Sequence, residues 1–302
     1  MLEIYRVDHV SQVVPDLEAQ AKLMDGLFGY RRVRSWDGGV RYEVAPGQAW
    51  EILAPSSGDS PLAAWLEENG GRGGLHHVAV EVPDLDKATA ELEDRGIKQT
   101  DGSPGQWVEA ALSPPDAGPG VRFRISGVGD HSPCGGDPKV SERGPTAGGL
   151  GVVAIDHVCQ AFADRDALAH WYAELAGFVQ VWRTPDDEHP DMADLVMNVP
   201  GSSICWEIIM PRGEDSFIER FLERSGPAAH HVTLEVADWD AAMDACKTND
   251  VEPFGSNEGT TDGAAWKDMF LHPKVTGGML TQLFWEQRPG VWVRSDKIPP
   301  RS

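Results

Sequence analysis

Two stretches of this chain carry side chains that could do chemistry, and each occurs twice. "GLHHVAVEV" begins at Gly74 and "AAHHVTLEV" at Ala228; "AWEILAP" begins at Ala49 and "CWEIIMP" at Cys205. A third pair adds a histidine to each half: "RVDHV" from Arg6 and "AIDHV" from Ala154. Each histidine or glutamate sits among alternating apolar residues, the pattern of a half-buried strand. Alternation sends residues two apart to the same face, so only one histidine of each His-His pair can face the interior of a curved sheet. The second half thus offers His157, Glu207, one of His230 and His231, and a polar residue of "LTQLFWE". Imidazole and carboxylate groups inside a sheet need a partner, and a divalent cation is one efficient answer. The plain alternatives are a hydrogen-bonded core histidine and a solvent-facing glutamate. Recurrence in both halves supports a shared architecture more strongly than it supports activity.

The elements that must hold these residues repeat as well. "RVDHVSQVVPDLEAQAKLMDGLFGY" from Arg6 matches "AIDHVCQAFADRDALAHWYAELAGF" from Ala154. Each reads as a strand, a turn, an amphipathic helix and a glycine-aromatic stop. The His-His strands lead into further helices, "DLDKATAELEDRGI" and "DWDAAMDACKTNDV", and the halves end on "GVRFRI" and "GMLTQLFWE". Every half therefore reads strand, helix, strands, twice over. Residues 128–149 are rich in Gly, Pro and Ser without apolar periodicity and form a linker. The expected organisation is an N-terminal module at 1–127, a C-terminal module at 150–290 and a tail at 291–302.

Bulk properties narrow the partners. The 302 residues suffice for two ordinary domains, and 41% hydrophobic with 25% charged residues is a globular composition. A formal charge of −22 speaks against a nucleic-acid or anionic-membrane partner. No apolar run reaches the length of a spanning helix, and the N-terminus lacks the features of a signal peptide. Cys134, Cys159, Cys205 and Cys246 show no CxxC spacing and are expected to be free thiols in a reducing cytoplasm.

On these residues the chain resembles the vicinal oxygen chelate superfamily, which includes glyoxalase I, methylmalonyl-CoA epimerase, extradiol and hydroxyphenylpyruvate dioxygenases, and bleomycin/fosfomycin resistance proteins. "SPLAAWLEENGGRGGLHHVAVEVPDLDKATAELEDRGI" and "MFLHPKVTGGMLTQL" are similar to epimerase segments. The likeness covers nearly all of both halves except linker and tail. It implies an α+β fold, four βαβββ units forming two tandem half-barrel modules, with ligands to one divalent metal on the first, fourth, fifth and eighth strands of a module. Carried over, those positions are His157, Glu207, His231 and Gln282, the last where the family has a glutamate. The first half gives His9, Glu51 and His77, with Arg124 where the carboxylate should be. A permanent cation repels another, so this module is expected to be degenerate, with Arg124 pairing with Glu51.

The resemblance implies a metal ion, one of Zn, Ni, Co, Mn or Fe(II), and a small-molecule carbonyl or aromatic substrate, with a homodimer allowed. The first expectation is a glyoxalase- or epimerase-like isomerase or lyase working through an enolate-type intermediate, with Glu207 as base. An amide at position 282 cannot take a proton, and Glu286, four residues on, is the other carboxylate on that strand face. The second expectation is an Fe(II)-dependent ring-cleaving or hydroxyphenylpyruvate-type dioxygenase, with Trp182, Trp206, Phe270, Phe284 and Trp285 as candidates to line an aromatic pocket. The third is a non-catalytic small-molecule binding or resistance protein.

Overall fold

The computed structural model describes residues 1–101, 106–114, 117, 118, 120–128, 149–184, 191–213 and 215–288. Most of the expected linker and the whole of the expected tail lie outside the described residues, as does Cys134.

Each half builds one eight-stranded sheet. The first contains β1 (Arg6–Val13), β2 (Arg31–Trp36), β3 (Gly39–Ala45), β4 (Gln48–Leu53), β5 (Gly74–Val82), β6 (Gln99–Asp101), β7 (Trp107–Leu112) and β8 (Val121–Gly127). The second contains β9 (Val152–Ala161), β10 (Val179–Arg183), β11 (Met192–Asn198), β12 (Cys205–Pro211), β13 (Ala229–Val236), β14 (Phe254–Thr261), β15 (Ala264–Leu271) and β16 (Thr281–Glu286). The strand orders are β2-β3-β4-β1-β5-β8-β7-β6 and β10-β11-β12-β9-β13-β16-β15-β14, so one topology is used twice. In each sheet the first strand of one βαβββ unit lies antiparallel to the first strand of the next, and each of them is parallel to the last strand of its own unit.

A helix follows the first strand of every unit: α1 (Leu17–Leu23), α3 (Leu85–Asp94), α4 (Arg165–Ala176) and α6 (Trp239–Thr248). All four start the same way. Asp16, Asp84, Asp164 and Asp238 hold extended backbone and accept a first-turn N–H on the side chain, a cap worth about 1 kcal/mol each. The turn after the first and third of these helices needs a left-handed residue, supplied by Gly29 and Gly177 at φ 65° and 68°. Two further helices, α2 (Pro61–Glu68) and α5 (Phe217–Ser225), join the units within each module.

One face of each sheet packs on its helices. There Trp50 donates its indole N–H to Gln12 and Trp206 donates to Gln160, the same buried pair in both halves. The modules share a core: Phe123 of the first half lies 5.2 Å from Trp206 of the second, and Gln48 bonds both the N–H and the C=O of Ile155. Backbones also meet, since a side chain at Gly278 would strike the carbonyl of Gly73. No helix among the described residues is long and apolar enough to cross a membrane. Cys159, Cys205 and Cys246 are buried free thiols.

Candidate metal centre

The opposite face of each sheet carries the polar residues. In the second sheet one row runs Glu207, Cys159, His231 across β12, β9 and β13. The next row runs His157, Thr233, Gln282, Phe270 across β9, β13, β16 and β15. Alternation puts both rows on one face, and the side chains converge. His157 Nε2 lies 3.4 Å and His231 Nε2 3.3 Å from the same oxygen, Glu207 Oε2. The donor atoms of the three lie within 4.8 Å of one another and all three residues are buried.

Interruptions in the strand pairing decide which groups orient the imidazoles. The β9–β13 ladder skips Asp156 and His230, and the β1–β5 ladder skips Asp8 and His76. A bulged residue is turned out of the alternating pattern. Asp156 Oδ2 thus sits 2.7 Å from His157 Nδ1, leaving Nε2 toward the cluster. His230 packs on Phe221 and places its Nδ1 2.9 Å from that of His231. The second histidine of the pair is therefore the one that joins the cluster.

Electrostatics ties the group together. Burial would hold His157 neutral, but Glu207 and Asp156 outweigh it and raise its pKa to about 10. Burial lowers the pKa of His231, opposed by Glu207 and by the Gln282 amide oxygen. Burial pushes Glu207 up, yet the His157 and His231 rings hold it well below the carboxylate range. Two further carboxyls face this cluster. Asp194 is pushed up by burial and by Glu207, and Asp268 is pushed up to about 6 by burial, with Glu207 adding to the rise. The C-terminal centre thus gathers four carboxyl groups, those of Asp156, Asp194, Glu207 and Asp268, around two imidazoles, a donor-rich setting that would favour a bound cation.

The first sheet repeats the geometry. His9 Nε2 lies 3.6 Å from Glu51 Oε1, the His9 and His77 rings are 5.4 Å apart, and Asp8 bonds His9 Nδ1 at 2.7 Å. His9, Glu51 and His77 form a buried cluster of the same size. Arg124 takes the register position of Gln282, opposite Ala79 where the second sheet has Thr233. The expected pairing of Arg124 with Glu51 is not what forms. Arg124 donates to Glu109 at 2.9 and 3.2 Å and lies 4.2 Å over the Trp107 ring. Glu109 is its neighbour on β7, a shorter reach than Glu51 across two intervening strands.

Among the aromatic candidates, Phe270 meets the His231 ring edge-on at 5.4 Å. Trp182 packs with Val196 and Cys205, while Trp206 and Trp285 belong to the helix-facing core. Glu286 is buried at the end of β16. The sequence reading missed Thr233, Asp156, Asp194 and Asp268. The doubled Asp-His-Val was a usable signal for Asp156; nothing local marks the other three.

Unpartnered polar atoms supply a test of fit. Glu207 Oε2 and His231 Nε2 are buried without a hydrogen-bond partner yet face each other at 3.3 Å, as donors converging on a cation would. Two imidazoles, one carboxylate and one amide oxygen suit a first-row divalent metal.

Comparison with known proteins places this geometry. Residues 8–109 and 156–270 match the model of the glyoxalase/bleomycin resistance protein/dioxygenase superfamily. The chain is 33% identical over 131 residues to ethylmalonyl-CoA/methylmalonyl-CoA epimerase of Cereibacter sphaeroides, spanning 43% of this chain and 95% of that protein. It is 32% identical over 98 residues to human mitochondrial methylmalonyl-CoA epimerase, spanning 31% of this chain and 55% of that protein. Among solved structures, a variant of 4-hydroxymandelate synthase from Streptomyces coelicolor superposes with a TM-score of 0.69 at 12% identity, covering 94% of this chain and 93% of that one. A halotolerant catechol dioxygenase gives 0.60 at 13% identity, covering 97% and 91%. The whole-chain likenesses establish the fold, and the epimerase match has the length of one module. With both halves of the chain matched by the family model, this protein belongs to the glyoxalase/bleomycin resistance protein/dioxygenase superfamily.

Proposed function

We propose that the protein is a metal-dependent isomerase or lyase of this superfamily, epimerase-like or glyoxalase-like, acting on a small carbonyl substrate through an enolate-type intermediate. The C-terminal module is its working half, with the metal held by His157, Glu207, His231 and Gln282. The observation that carries the reading is the pair of buried imidazole nitrogens sharing Glu207 Oε2 at 3.4 and 3.3 Å. The epimerase match over nearly a full relative supports it.

When bound, the metal supplies Lewis acidity, stabilising negative charge that develops on a substrate oxygen. Asp156 keeps His157 Nε2 aimed at the cluster by bonding Nδ1. Glu207 is the base: the carboxylate oxygen not given to the metal accepts the proton from the carbon next to the carbonyl. Gln282 cannot share that task. Phe270, against the His231 ring, shields one side of the cluster from water. The N-terminal module is structural in this reading, because Arg41 bonds Asp8 at 2.8 Å and Arg124 lies close enough to lower the pKa of His77, chiefly set by burial.

A second reading is an Fe(II) dioxygenase. The gathering of two histidines with one carboxylate favours it, since Glu207 supplies from β12 the charge that Gln282 lacks on β16. One experiment separates the two. Protein carrying its own metal is incubated anaerobically in D₂O with a panel of 2-substituted acyl thioesters and 2-oxo compounds. Exchange of a substrate C–H for deuterium, lost in Glu207→Gln, supports the first reading; substrate-dependent oxygen uptake in air without exchange replaces it with the second. Ligand binding with neither outcome would mean a binding protein.

A further inference from the structure

Gln282 is the departure that most distinguishes this centre, and the structure surrounds it with a hydrogen-bonded chain. His157 Nε2 and Thr233 Oγ1 are 2.7 Å apart, and Thr233 donates to Gln282 Oε1 at 2.7 Å. On its other side Asp268 sits on the adjacent strand β15, two residues from Phe270, the register partner of Gln282; its carboxyl feels the Gln282 amide as a hydrogen-bond donor and accepts from Asn257 Nδ2 at 2.9 Å. The run His157–Thr233–Gln282–Asp268–Asn257 thus crosses from the middle of the sheet to its edge strand β14. An amide has one acceptor end and one donor end. A hydroxyl donor on one side and a carboxyl acceptor on the other determine which end points where.

The first module shows that this chain is not a general requirement of the fold. At the matching register positions it has Ala79 for Thr233, Arg124 for Gln282 and Trp107 for Asp268. Every polar link between the first-strand histidine and the edge strand is replaced there, while the His-Glu-His cluster itself is kept. Asp268 is only 8% exposed, and a carboxyl is seldom buried unless it has bonds to make.

We infer that Asp268 is a positioning residue of the metal centre: by accepting from the Gln282 amide nitrogen it holds the amide oxygen toward His157, Glu207 and His231, so that position 282 presents a ligand atom rather than an N–H donor. The inference rests on the metal reading of the C-terminal module. Without Asp268 the amide can turn over, and an amide nitrogen does not bind a divalent cation. Outer partners that orient a ligand contribute about 10–100-fold to metal affinity.

The test uses Co²⁺ on full-length protein stripped of metal, with affinity from competition against a chromophoric chelator and geometry from the d–d absorption of bound Co²⁺. Asp268→Asn keeps the shape but offers Gln282 a donor. It should weaken Co²⁺ binding about tenfold or more and alter the d–d spectrum, while Asp268→Glu stays within a few-fold of the unsubstituted protein. In a Gln282→Leu background, Asp268→Asn should have no further effect on affinity or spectrum, because its route of action is gone. Unchanged affinity and spectrum in Asp268→Asn would overturn the inference, as would losses that add in full in the double variant. Failure of the underlying metal reading looks different: the unsubstituted protein takes up no Co²⁺, or His231→Ala takes up as much, and then both fall together.

Discussion

The two modules present the same three donors in the same register, yet the first sets two arginines beside them and the second two further carboxyl groups. Around His9, Glu51 and His77 stand Arg41, bonded to Asp8, and Arg124, bonded to Glu109. Around His157, Glu207 and His231 stand Asp194 and Asp268, with Asp156 as the counterpart of Asp8, Val196 in the register position of Arg41 and Gln282 in that of Arg124. A repeated ligand motif is thus no measure of function by itself. The residues one strand away set the potential that a cation would meet, and at buried separations of a few ångströms that potential outweighs small differences in donor geometry.

The largest expected effects separate the halves outright. His231→Ala should lose metal content altogether, a greater loss than the 10–100-fold typical of outer-shell changes, whereas His77→Ala should leave one metal per chain unchanged. Metal analysis by mass spectrometry of the elements checks both. Equal losses in the two variants would mean the clusters are not functionally unequal. Glu207→Gln should lower turnover or C–H exchange by roughly 10²–10⁴-fold, the usual scale for removing a general base. Glu51→Gln should leave turnover intact, and steady-state kinetics of the pair decides.

Much of this contrast was legible in the residues. The duplicated strands, the glycine stops and the first-strand histidine and the glutamate of each half follow from local pattern, because period-2 alternation and glycine helix stops are short-range physics; the choice within each His-His pair came from the family resemblance. The arrangement within the sheet is not short-range. Position 124 could be assigned to the last strand, but its partner depended on β7 lying beside β8, which brings Glu109 nearer than Glu51. Asp268 went unseen for the same reason, since "AAWKDMFL" reads as an ordinary strand until β15 is set next to β16. The indole of Trp206 beside Glu207 looked like pocket lining, but alternation places it on the helix-facing side, against Gln160 and Tyr172. The doubled Asp-His-Val marks Asp8 and Asp156 as a pair, but that each is bulged out of its ladder depends on the partner strand.

A smaller effect concerns the support of the C-terminal centre. Arg165 follows the Asp164 cap and is fully buried, donating to the carbonyls of Thr184 and Asp194. At the matching position after the Asp16 cap the first module has Leu17. Arg165→Met should therefore cost about 2–3 kcal/mol of stability, because two buried carbonyls lose their donor. It should also weaken metal binding only modestly, since Asp194 keeps its place beside Glu207. Leu17→Met should be nearly neutral, as volume-conserving apolar exchanges usually are. Chemical denaturation of the metal-free protein measures the difference, and equal costs in the two variants would show that the modules are braced alike.

The smallest expected effect tests whether Arg124 by itself would keep a metal ion out of the first module. Arg124→Gln installs the C-terminal residue and removes the cation facing His77. Glu109 then loses its main partner, though its pocket stays partly solvated and Arg122 lies 3.4 Å away, so the stability cost should be about 1 kcal/mol. If Arg124 is the principal block, a second, weak equivalent of Co²⁺ should appear in this variant and vanish again on adding His77→Ala. The second equivalent should be weaker than the first, because Ala79 and Trp107 cannot hold the new amide as Thr233 and Asp268 hold Gln282, and because Arg41 remains. Adding Ala79→Thr should tighten it, since a hydroxyl donor beside the amide fixes its oxygen inward. No second equivalent in either variant would mean that Arg41 and the local fold, rather than the residue on the last strand, keep a metal ion out of this module.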